Sequence, residues 1–300
     1  MSLDRRRCWG DALTHKPPLR LGEEGLAAMI DADAFNAFEA AGWNARALEY
    51  DHYWPALTRR PSDPLLDAVG AGHGTRVVDV ACGPGYLTGR AAERGAMAVG
   101  VDIAEPMIRL AQRRFPRAEF RQGDAQALPF PDRCFDAVVA NLGLPHFGQP
   151  EQAVGEFRRV LTPGGRVALT AWNHPAHARL VGVLLEAVHE VGVTVPETVP
   201  AGPNFFRFAD DAELESLLED QDFIDIGIRT VEFVHSVDSA DELWDGLLYG
   251  TVRTAAVVRA QPDDVIRQIR PGFNRRVEGY RTGPTYRLPV SFKLAHARLR

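Results

Sequence analysis

A glycine turn at Gly83-Pro84-Gly85 is the feature whose residue types most directly suggest chemistry. It follows a valine-rich run at residues 76–81, and a helical pattern begins after it. Backbone N–H groups at such a turn can approach a small charged cofactor closely, because glycine has no side chain in the way. Gly-x-Gly is compatible with a dinucleotide, but the dinucleotide fingerprint has a third glycine where this chain has Thr88.

Polar side chains stand at the ends of four successive predicted strands. Asp79 precedes the turn, Asp102 and Asp124 follow the next two strands, and Asn141 ends the fourth. Ligands of open α/β sheets bind beyond the carboxyl ends of the strands. We therefore expect Asp79 to face a positively charged group, Asp102 to accept from two ribose hydroxyls, and Asp124 to accept from an exocyclic amine. The alternative for each aspartate is a helix N-cap, since each precedes a predicted helix.

One histidine is a candidate for proton transfer. His146 lies in the segment after the fourth predicted strand, near the expected ligand. Histidine is suited to general-base catalysis because its ordinary pKa lies near neutrality. The alternative is an ordinary loop histidine held by a hydrogen bond.

The elements that must position these residues alternate between strand and helix. Short apolar runs separated by helical patterns favour parallel strands joined by right-handed crossovers, hence a doubly wound α/β sheet. The predicted strands are residues 76–81, 98–102, 118–122, 135–141 and 165–172, with helices at residues 86–94, 106–115 and 150–161. Ahead of the sheet, the pattern predicts helices at residues 30–43, 45–53 and 61–69.

Five blocks of this sequence, taken in order, resemble the class I S-adenosylmethionine-dependent methyltransferases. The blocks are residues 79–85, 101–102, 123–125, 128–136 and 158–165, and the resemblance spans roughly residues 50–172. It is strongest to the UbiE-like (methyltransferase type 11) group of small-molecule enzymes. The resemblance implies a Rossmann-like, mostly parallel sheet of seven strands in the order 3-2-1-4-5-7-6. It also implies a helical N-terminal lid and a cap insertion after strand 5.

The resemblance implies S-adenosyl-L-methionine as the cofactor and S-adenosyl-L-homocysteine as the product. The residues implied to bind it are Asp79, Ala81, Cys82, Gly83, Gly85, Asp102, Ile103, Met107, Asp124, Ala125, Asn141 and Leu142. Asp79 and the turn would hold the methionine portion, and Asn141 and Leu142 would offer backbone carbonyls to its ammonium group. Ala81 stands where the family often has glycine, and we expect it to keep a negative φ.

Tyr50 is the second catalytic candidate beside His146, because the family often has an aromatic residue over the cofactor there. Other aromatic residues are expected to form the substrate walls. These are Trp43 and Tyr53 on the lid side, and Trp172, His174, Phe205 and Phe206 on the opposite side. For Trp54, which also lies on the lid side, we expect ordinary core packing instead.

The chain is predicted to comprise five segments. These are a flexible arm (1–25), a helical lid (26–70), the cofactor-binding core (71–172), a cap insertion (173–209) and the C-terminal part of the methyltransferase domain (210–300). We expect acceptor specificity to lie in the cap, since such enzymes vary their loops on a constant scaffold.

The predicted function is methyl transfer by in-line displacement to a small, largely apolar acceptor, such as a specialised metabolite or a quinone- or phenol-like molecule. The alternatives are a protein that binds the cofactor without methylating, or a cyclase. An NAD-dependent oxidoreductase is a weaker alternative, since it explains neither Asp79 nor the later blocks. The choice between oxygen, nitrogen and carbon as the methylated atom stays open.

Composition favours a globular cytoplasmic protein. The 300 residues are 45% hydrophobic with a net charge of −6, and no apolar run is long enough to span a membrane. Three scattered cysteines argue against a disulfide framework and a metal site. The expected partner is a small-molecule acceptor rather than nucleic acid, and a homodimer is left open. Eleven basic residues follow Gly250. They either balance the net negative charge of the rest of the chain or attract an anionic substrate or partner.

Overall fold

The computed structural model describes residues 31–300, within which eight strands form one sheet. They are β1 (Arg76–Val80), β2 (Met97–Asp102), β3 (Glu119–Gln122), β4 (Phe135–Asn141), β5 (Leu161–Trp172), β6 (Phe223–Val237), β7 (Arg281–Thr282) and β8 (Thr285–Leu299). The order is β3-β2-β1-β4-β5-β8-β6, and β7 pairs with β8. The first five strands are parallel, and β8 runs antiparallel to both β5 and β6. The predicted arm at residues 1–25 lies outside the described residues.

The predicted α/β class and the mostly parallel, doubly wound sheet are confirmed, whereas the strand count of seven is wrong. The additional strand, β7, has only two residues and forms a hairpin with the start of β8. Gly283 has a φ of 61° in the connecting turn, a conformation typical of tight hairpins. When β7 is set aside, the observed order matches the predicted 3-2-1-4-5-7-6.

Eleven α-helices are found in the described residues. They are α1 (Ala32–Tyr53), α2 (Pro55–Thr58), α3 (Ser62–Val69), α4 (Tyr86–Glu93), α5 (Glu105–Arg114), α6 (Pro150–Val160), α7 (Arg179–Val191), α8 (Asp211–Glu219), α9 (Ala240–Tyr249), α10 (Arg253–Arg259) and α11 (Asp263–Glu278). Two 3₁₀ turns occur at Leu144–His146 and Arg207–Ala209. None of the helices within residues 31–300 has the length and apolarity needed to cross a bilayer.

Helix α1 is continuous, so the prediction of two separate helices in this region is wrong. The helix begins at the N-cap Asp31, whose side chain accepts a hydrogen bond from the Ala34 N–H (2.9 Å). Gly42 lies inside the helix instead of ending it. A Cβ atom at this position would lie 2.4 Å from Val252 Cγ1, so the glycine allows close contact with a segment far along the chain.

Helices cover both faces of the central strand β1, which explains why its valines are buried on both sides of the sheet. Val77 belongs to a buried cluster with Leu66 and Leu87, whereas its neighbour Val78 belongs to a cluster with Phe157. Both valines are fully buried. This double packing holds the strand ends rigidly, and the polar residues that follow them are positioned by it.

Candidate functional site

A pocket opens at the carboxyl ends of β1, β2 and β4, and α1 forms its opposite wall. Its volume is about 1300 Å³ when the open mouth is included. Eleven of the fourteen predicted site residues line it: Tyr50, Ala81, Gly83, Asp102, Ile103, Met107, Asp124, Ala125, Asn141, Leu142 and His146. The other three, Asp79, Cys82 and Gly85, are not among the lining residues.

The glycine turn places three residues in the left-handed region: Ala81 (φ 57°), Gly83 (φ 53°) and Gly85 (φ 82°). The expectation of a negative φ at Ala81 is therefore wrong. The chain must reverse directly after β1, and the conformation costs an alanine about 1–2 kcal/mol. Strain of this kind is concentrated at ligand sites.

The two glycines of the turn meet different requirements. A Cβ atom on Gly85 would lie 2.7 Å from Ala111 Cβ and 2.8 Å from Phe120, so only glycine allows the turn to pack on α5 and β3. A Cβ atom on Gly83 would meet nothing closer than Tyr50 Cε1 at 3.9 Å. Gly83 thus exposes backbone to the pocket, while Gly85 makes a close packing contact.

Asp79 is directed beneath the turn and is 1% exposed. Its Oδ2 accepts a hydrogen bond from Thr88 Oγ1 (2.6 Å), and its Oδ1 is buried without a partner among residues 31–300. Burial raises the pKa of this carboxyl to about 7. Thr88, which replaces the third glycine of the dinucleotide fingerprint, thus connects α4 to the end of β1.

Asp102 lies at the pocket wall and accepts two backbone hydrogen bonds. Its Oδ2 accepts from the Gly83 N–H (2.8 Å) and its Oδ1 from the Ala104 N–H (2.9 Å). Burial raises its pKa. Asp124 Oδ1 accepts from the Gln126 N–H (2.8 Å) in a local turn.

The alternative role of these aspartates as helix N-caps is wrong. The N-cap of α4 is Gly85 and that of α5 is Ala104. Irregular structure follows Asp124 instead of a helix.

Asn141 connects three elements at the end of β4. Its Nδ2 donates to the Thr58 carbonyl (2.7 Å), and its Oδ1 accepts from Thr170 Oγ1 (2.7 Å). The next residue, Leu142, has a φ of 60°, and its N–H donates to Thr170 Oγ1 (2.9 Å). Strained backbone therefore borders the pocket at Leu142 as well as at Ala81.

His146 forms a hydrogen-bonded pair with Glu39, a residue the sequence reasoning missed. His146 Nδ1 lies 2.9 Å from Glu39 Oε2, and Trp43 Nε1 donates to the same oxygen (3.0 Å). The Glu39 side chain is 3% exposed, and its Oε1 is buried without a partner in the described part of the chain. The spacing of Glu39 and Trp43 is a helical i, i+4 signal. The contact with His146, 107 residues away, has no local sequence signal.

Aromatic residues dominate the remaining walls. Four of the expected ones line the pocket, namely Trp43, Tyr50, Trp172 and Phe205, whereas Tyr53, His174 and Phe206 do not. Trp54, which was expected only in the core, also lines the pocket. Burial raises the pKa of Tyr50 to about 12, so its hydroxyl stays protonated at neutral pH. Residues 250–254 also line the pocket, and nothing in their sequence pattern predicts it.

Comparison with known proteins gives consistent results. Residues 78–169 match a family model described as a methyltransferase domain. The chain is 42% identical over 118 residues to the demethylmenaquinone methyltransferase of Renibacterium salmoninarum, covering 39% of this chain and 50% of that protein. It is 29% identical over 197 residues to the demethylmenaquinone methyltransferase of Paenarthrobacter aurescens, covering 62% and 78%. The chain thus spans about half the length of the first of these relatives.

Solved structures share the fold. The YcgJ protein of Bacillus subtilis superposes with a TM-score of 0.53 at 18% identity, covering 80% of this chain and 97% of that one. Phosphoethanolamine N-methyltransferase 2 of Haemonchus contortus, solved in complex with S-adenosyl-L-methionine, superposes with a TM-score of 0.52 at 18% identity, covering 88% and 60%.

The fold and the matched segment define the class: residues 78–169 form a methyltransferase domain on the Rossmann-like class I fold. Within that class, the chain is similar to demethylmenaquinone methyltransferases, in line with the UbiE-like resemblance of its motifs.

Proposed function

We propose that this protein is an S-adenosyl-L-methionine-dependent methyltransferase acting on a small, largely apolar acceptor that carries a ring hydroxyl, such as a quinol or a phenol. One observation carries the proposal: the glycine turn, the strand-end polar residues and the Glu39–His146 pair line the same pocket. The names of the demethylmenaquinone methyltransferase relatives support a quinol-like acceptor.

The residues of the sheet-side wall fit the cofactor. The open face of Gly83 leaves room beside Tyr50, and Asp102 presents a carboxylate at the same wall. In this proposal Asp102 would bind the ribose hydroxyls. Ile103 and Met107 would pack on the adenine, and Asp124 and Ala125 would contact its edge. Asp79 does not line the pocket in this proposal; it holds the turn in place through its hydrogen bond from Thr88. When bound, the cofactor supplies an electrophilic methyl group on a sulfonium.

The protein's own chemical contribution is removal of a proton from the acceptor hydroxyl. Glu39 holds His146 through Nδ1, which leaves Nε2 as the nitrogen that accepts the proton. The buried Glu39 carboxylate then stabilises the imidazolium that forms. A deprotonated ring hydroxyl is a stronger nucleophile at oxygen and at the adjacent ring carbon, so the base serves either site of methylation.

The aromatic walls align the acceptor and exclude water. In-line displacement depends mainly on proximity and orientation, since the methyl donor is already activated. Trp43 and Phe205 pack edge-on against His146, at ring-centroid distances of 5.1 and 5.7 Å. In this proposal residues 26–70 are the lid and residues 173–209 are the cap, because Trp43 and Phe205 come from these two segments.

Calorimetry and product analysis test the proposal. S-adenosylhomocysteine should bind the purified protein, whereas NADH should not. Incubation with S-adenosylmethionine and a panel of quinols and phenols should yield a methylated product together with S-adenosylhomocysteine. Binding of NADH without S-adenosylhomocysteine would indicate an oxidoreductase. Cofactor binding with no methylated product from any acceptor would indicate a non-methylating protein or a cyclase.

A further inference from the structure

Arg253 differs from the other basic residues of the C-terminal segment. Six of the eleven basic residues after Gly250 form ion pairs with acidic side chains: Arg270, Arg275, Arg276, Arg281, Lys293 and Arg298. The acidic partners in these pairs neutralise much of the positive charge of the segment. Arg253 has no ion pair among residues 31–300 and lines the pocket. Its Nη1 donates to the Pro203 carbonyl (2.7 Å), and its guanidinium lies 5.1 Å from the Phe35 ring centroid.

Within residues 31–300, most of the hydrogen-bond donors of this guanidinium have no protein partner. A guanidinium carries five N–H donors and stays charged in proteins. Burial lowers the pKa of Arg253, whereas carboxylate partners raise that of arginines such as Arg76 and Arg159. Among residues 31–300, Arg46 Nε is buried without a hydrogen-bond partner, whereas no nitrogen of Arg253 is both buried and without a partner. The remaining donors of Arg253 are therefore accessible at the pocket.

Helix α1 shows how far Arg253 lies from the cofactor wall. Phe35, Glu39 and Tyr50 lie along one helix, and Tyr50 is the residue beside Gly83. At 1.5 Å per residue, Phe35 is about 22 Å from Tyr50 along the axis. Arg253 covers Phe35 and so lies at the opposite end of the pocket from the glycine turn. In this position the guanidinium lies near the Phe35 end of α1 and away from Tyr50 and Gly83.

The Glu39–His146 pair lies between these two ends. Glu39 follows Phe35 by one helical turn, about 6 Å along the axis. The segment that carries Arg253 is held against α1 by the contact between Gly42 and Val252. A single aromatic ring can therefore place one substituent at His146 and another at Arg253.

We propose that Arg253 binds a carboxylate of the methyl acceptor, so that the acceptor is a hydroxy-substituted aromatic acid. This inference rests on the proposed function. A partly desolvated guanidinium with free donors is matched by a carboxylate through paired, charge-assisted hydrogen bonds. The competing explanation is that Arg253 only offsets the buried charge of Glu39, which influences it electrostatically.

Two probes that differ only in charge test the inference. Binding of 4-hydroxybenzoate and of neutral 4-methylphenol is measured by calorimetry with saturating S-adenosylhomocysteine. The wild-type protein should bind the acid at least about tenfold more tightly, within the range of a charge-assisted hydrogen bond. Arg253→Gln should abolish this preference, and Arg253→Lys should retain part of it. Arg259→Gln, the same change at an exposed position of α10, should leave the preference intact.

Three results would overturn the inference: no preference for the acid in the wild-type protein, an unchanged preference in Arg253→Gln, or an equal loss in Arg259→Gln. Thermal melting of each variant separates a loss of folding from a loss of recognition. S-adenosylhomocysteine binding separates the two proposals. If it binds the wild-type protein and no acid preference is found, only the acceptor inference fails, whereas absence of cofactor binding means that the proposed function fails.

Discussion

Replacement of Asp79 by asparagine should change how stability depends on pH. Burial raises the pKa of this carboxyl from its ordinary value of 3.8 to about 7, and Oδ1 has no partner in the described residues. Between these two values the folded protein keeps a proton that the unfolded chain has lost. The stability contributed by this group is therefore largest at low pH, falls as the pH rises towards 7, and is absent above it. The amide of an asparagine cannot titrate, so the Asp79→Asn variant should not show this fall.

The expected magnitude follows from the same values. A pKa raised from 3.8 to about 7 corresponds to about 4 kcal/mol in total. Other carboxyl groups also titrate below pH 5, so the clearest window is pH 5–7, where the loss is about 2–3 kcal/mol. The free energy of unfolding is measured by urea denaturation from pH 5 to 9, without cofactor. The difference between Asp79→Asn and the wild-type protein should grow by that amount up to pH 7 and then stay constant.

A change at Thr88 provides an independent check. The hydrogen bond from the Thr88 hydroxyl favours the ionised form of Asp79 and so lowers its pKa. Thr88→Val should therefore raise the pKa of Asp79, and the free energy of unfolding should continue to fall to a higher pH than in the wild-type protein. Thr88→Ser keeps the hydroxyl and should keep the wild-type profile. Parallel pH profiles for Asp79→Asn and the wild-type protein would refute this reasoning, because the carboxyl would then ionise without cost in the folded state.

Four further predictions concern the pocket. Glu39→Gln should lower turnover by about 10- to 100-fold and alter the pH–rate profile, with S-adenosylhomocysteine affinity unchanged, because the neutral amide cannot stabilise a charged His146; an equal loss of cofactor affinity in calorimetry would indicate a purely structural role. Asp102→Ala should weaken S-adenosylhomocysteine binding by about 1–3 kcal/mol in the same assay, and unchanged binding would mean that the ribose lies elsewhere. Ala81→Gly should raise the free energy of unfolding by up to about 1 kcal/mol in urea, since relief of the left-handed strain outweighs the entropy cost of glycine; a lower value would contradict this. Gly85→Ala should lower that free energy by about 3 kcal/mol, because the added methyl group overlaps Ala111 and Phe120; wild-type stability would show that the turn can relax.

The fold was largely predictable because its signals are local and repeated. Mostly apolar runs of five to seven residues alternate with helical patterns, and the valines of β1 and β4 are buried on both faces of the sheet. The additional strand β7 was missed because two residues carry no periodic pattern. The division of α1 into two helices was wrong, since the helix continues without a break from Ala32 to Tyr53.

The site was predictable where it depends on the ends of strands. Asp102, Asp124 and Asn141 line the pocket because parallel strands bring their carboxyl ends to one edge of the sheet. Asp79 also ends a strand, but strand alternation and packing direct its carboxyl beneath the turn towards Thr88. The side of the strand that a residue faces decides whether it reaches the ligand.

By itself, the sequence determined the class of fold, the glycine turn and the edge of the sheet at which the pocket opens, because each depends on residues close together in the chain. Only the tertiary structure decided the left-handed backbone at Ala81, the pairing of Glu39 with His146, and the approach of Arg253 to the pocket. The φ of Ala81 follows from the chain reversal after β1, whereas the other two features arise when distant segments pack against one another. Individual polar residues in such segments have no spacing that distinguishes them from solvent-exposed ones. The turn therefore indicates the cofactor, while α1, the loop after β4 and the start of α10 form other walls of the same pocket.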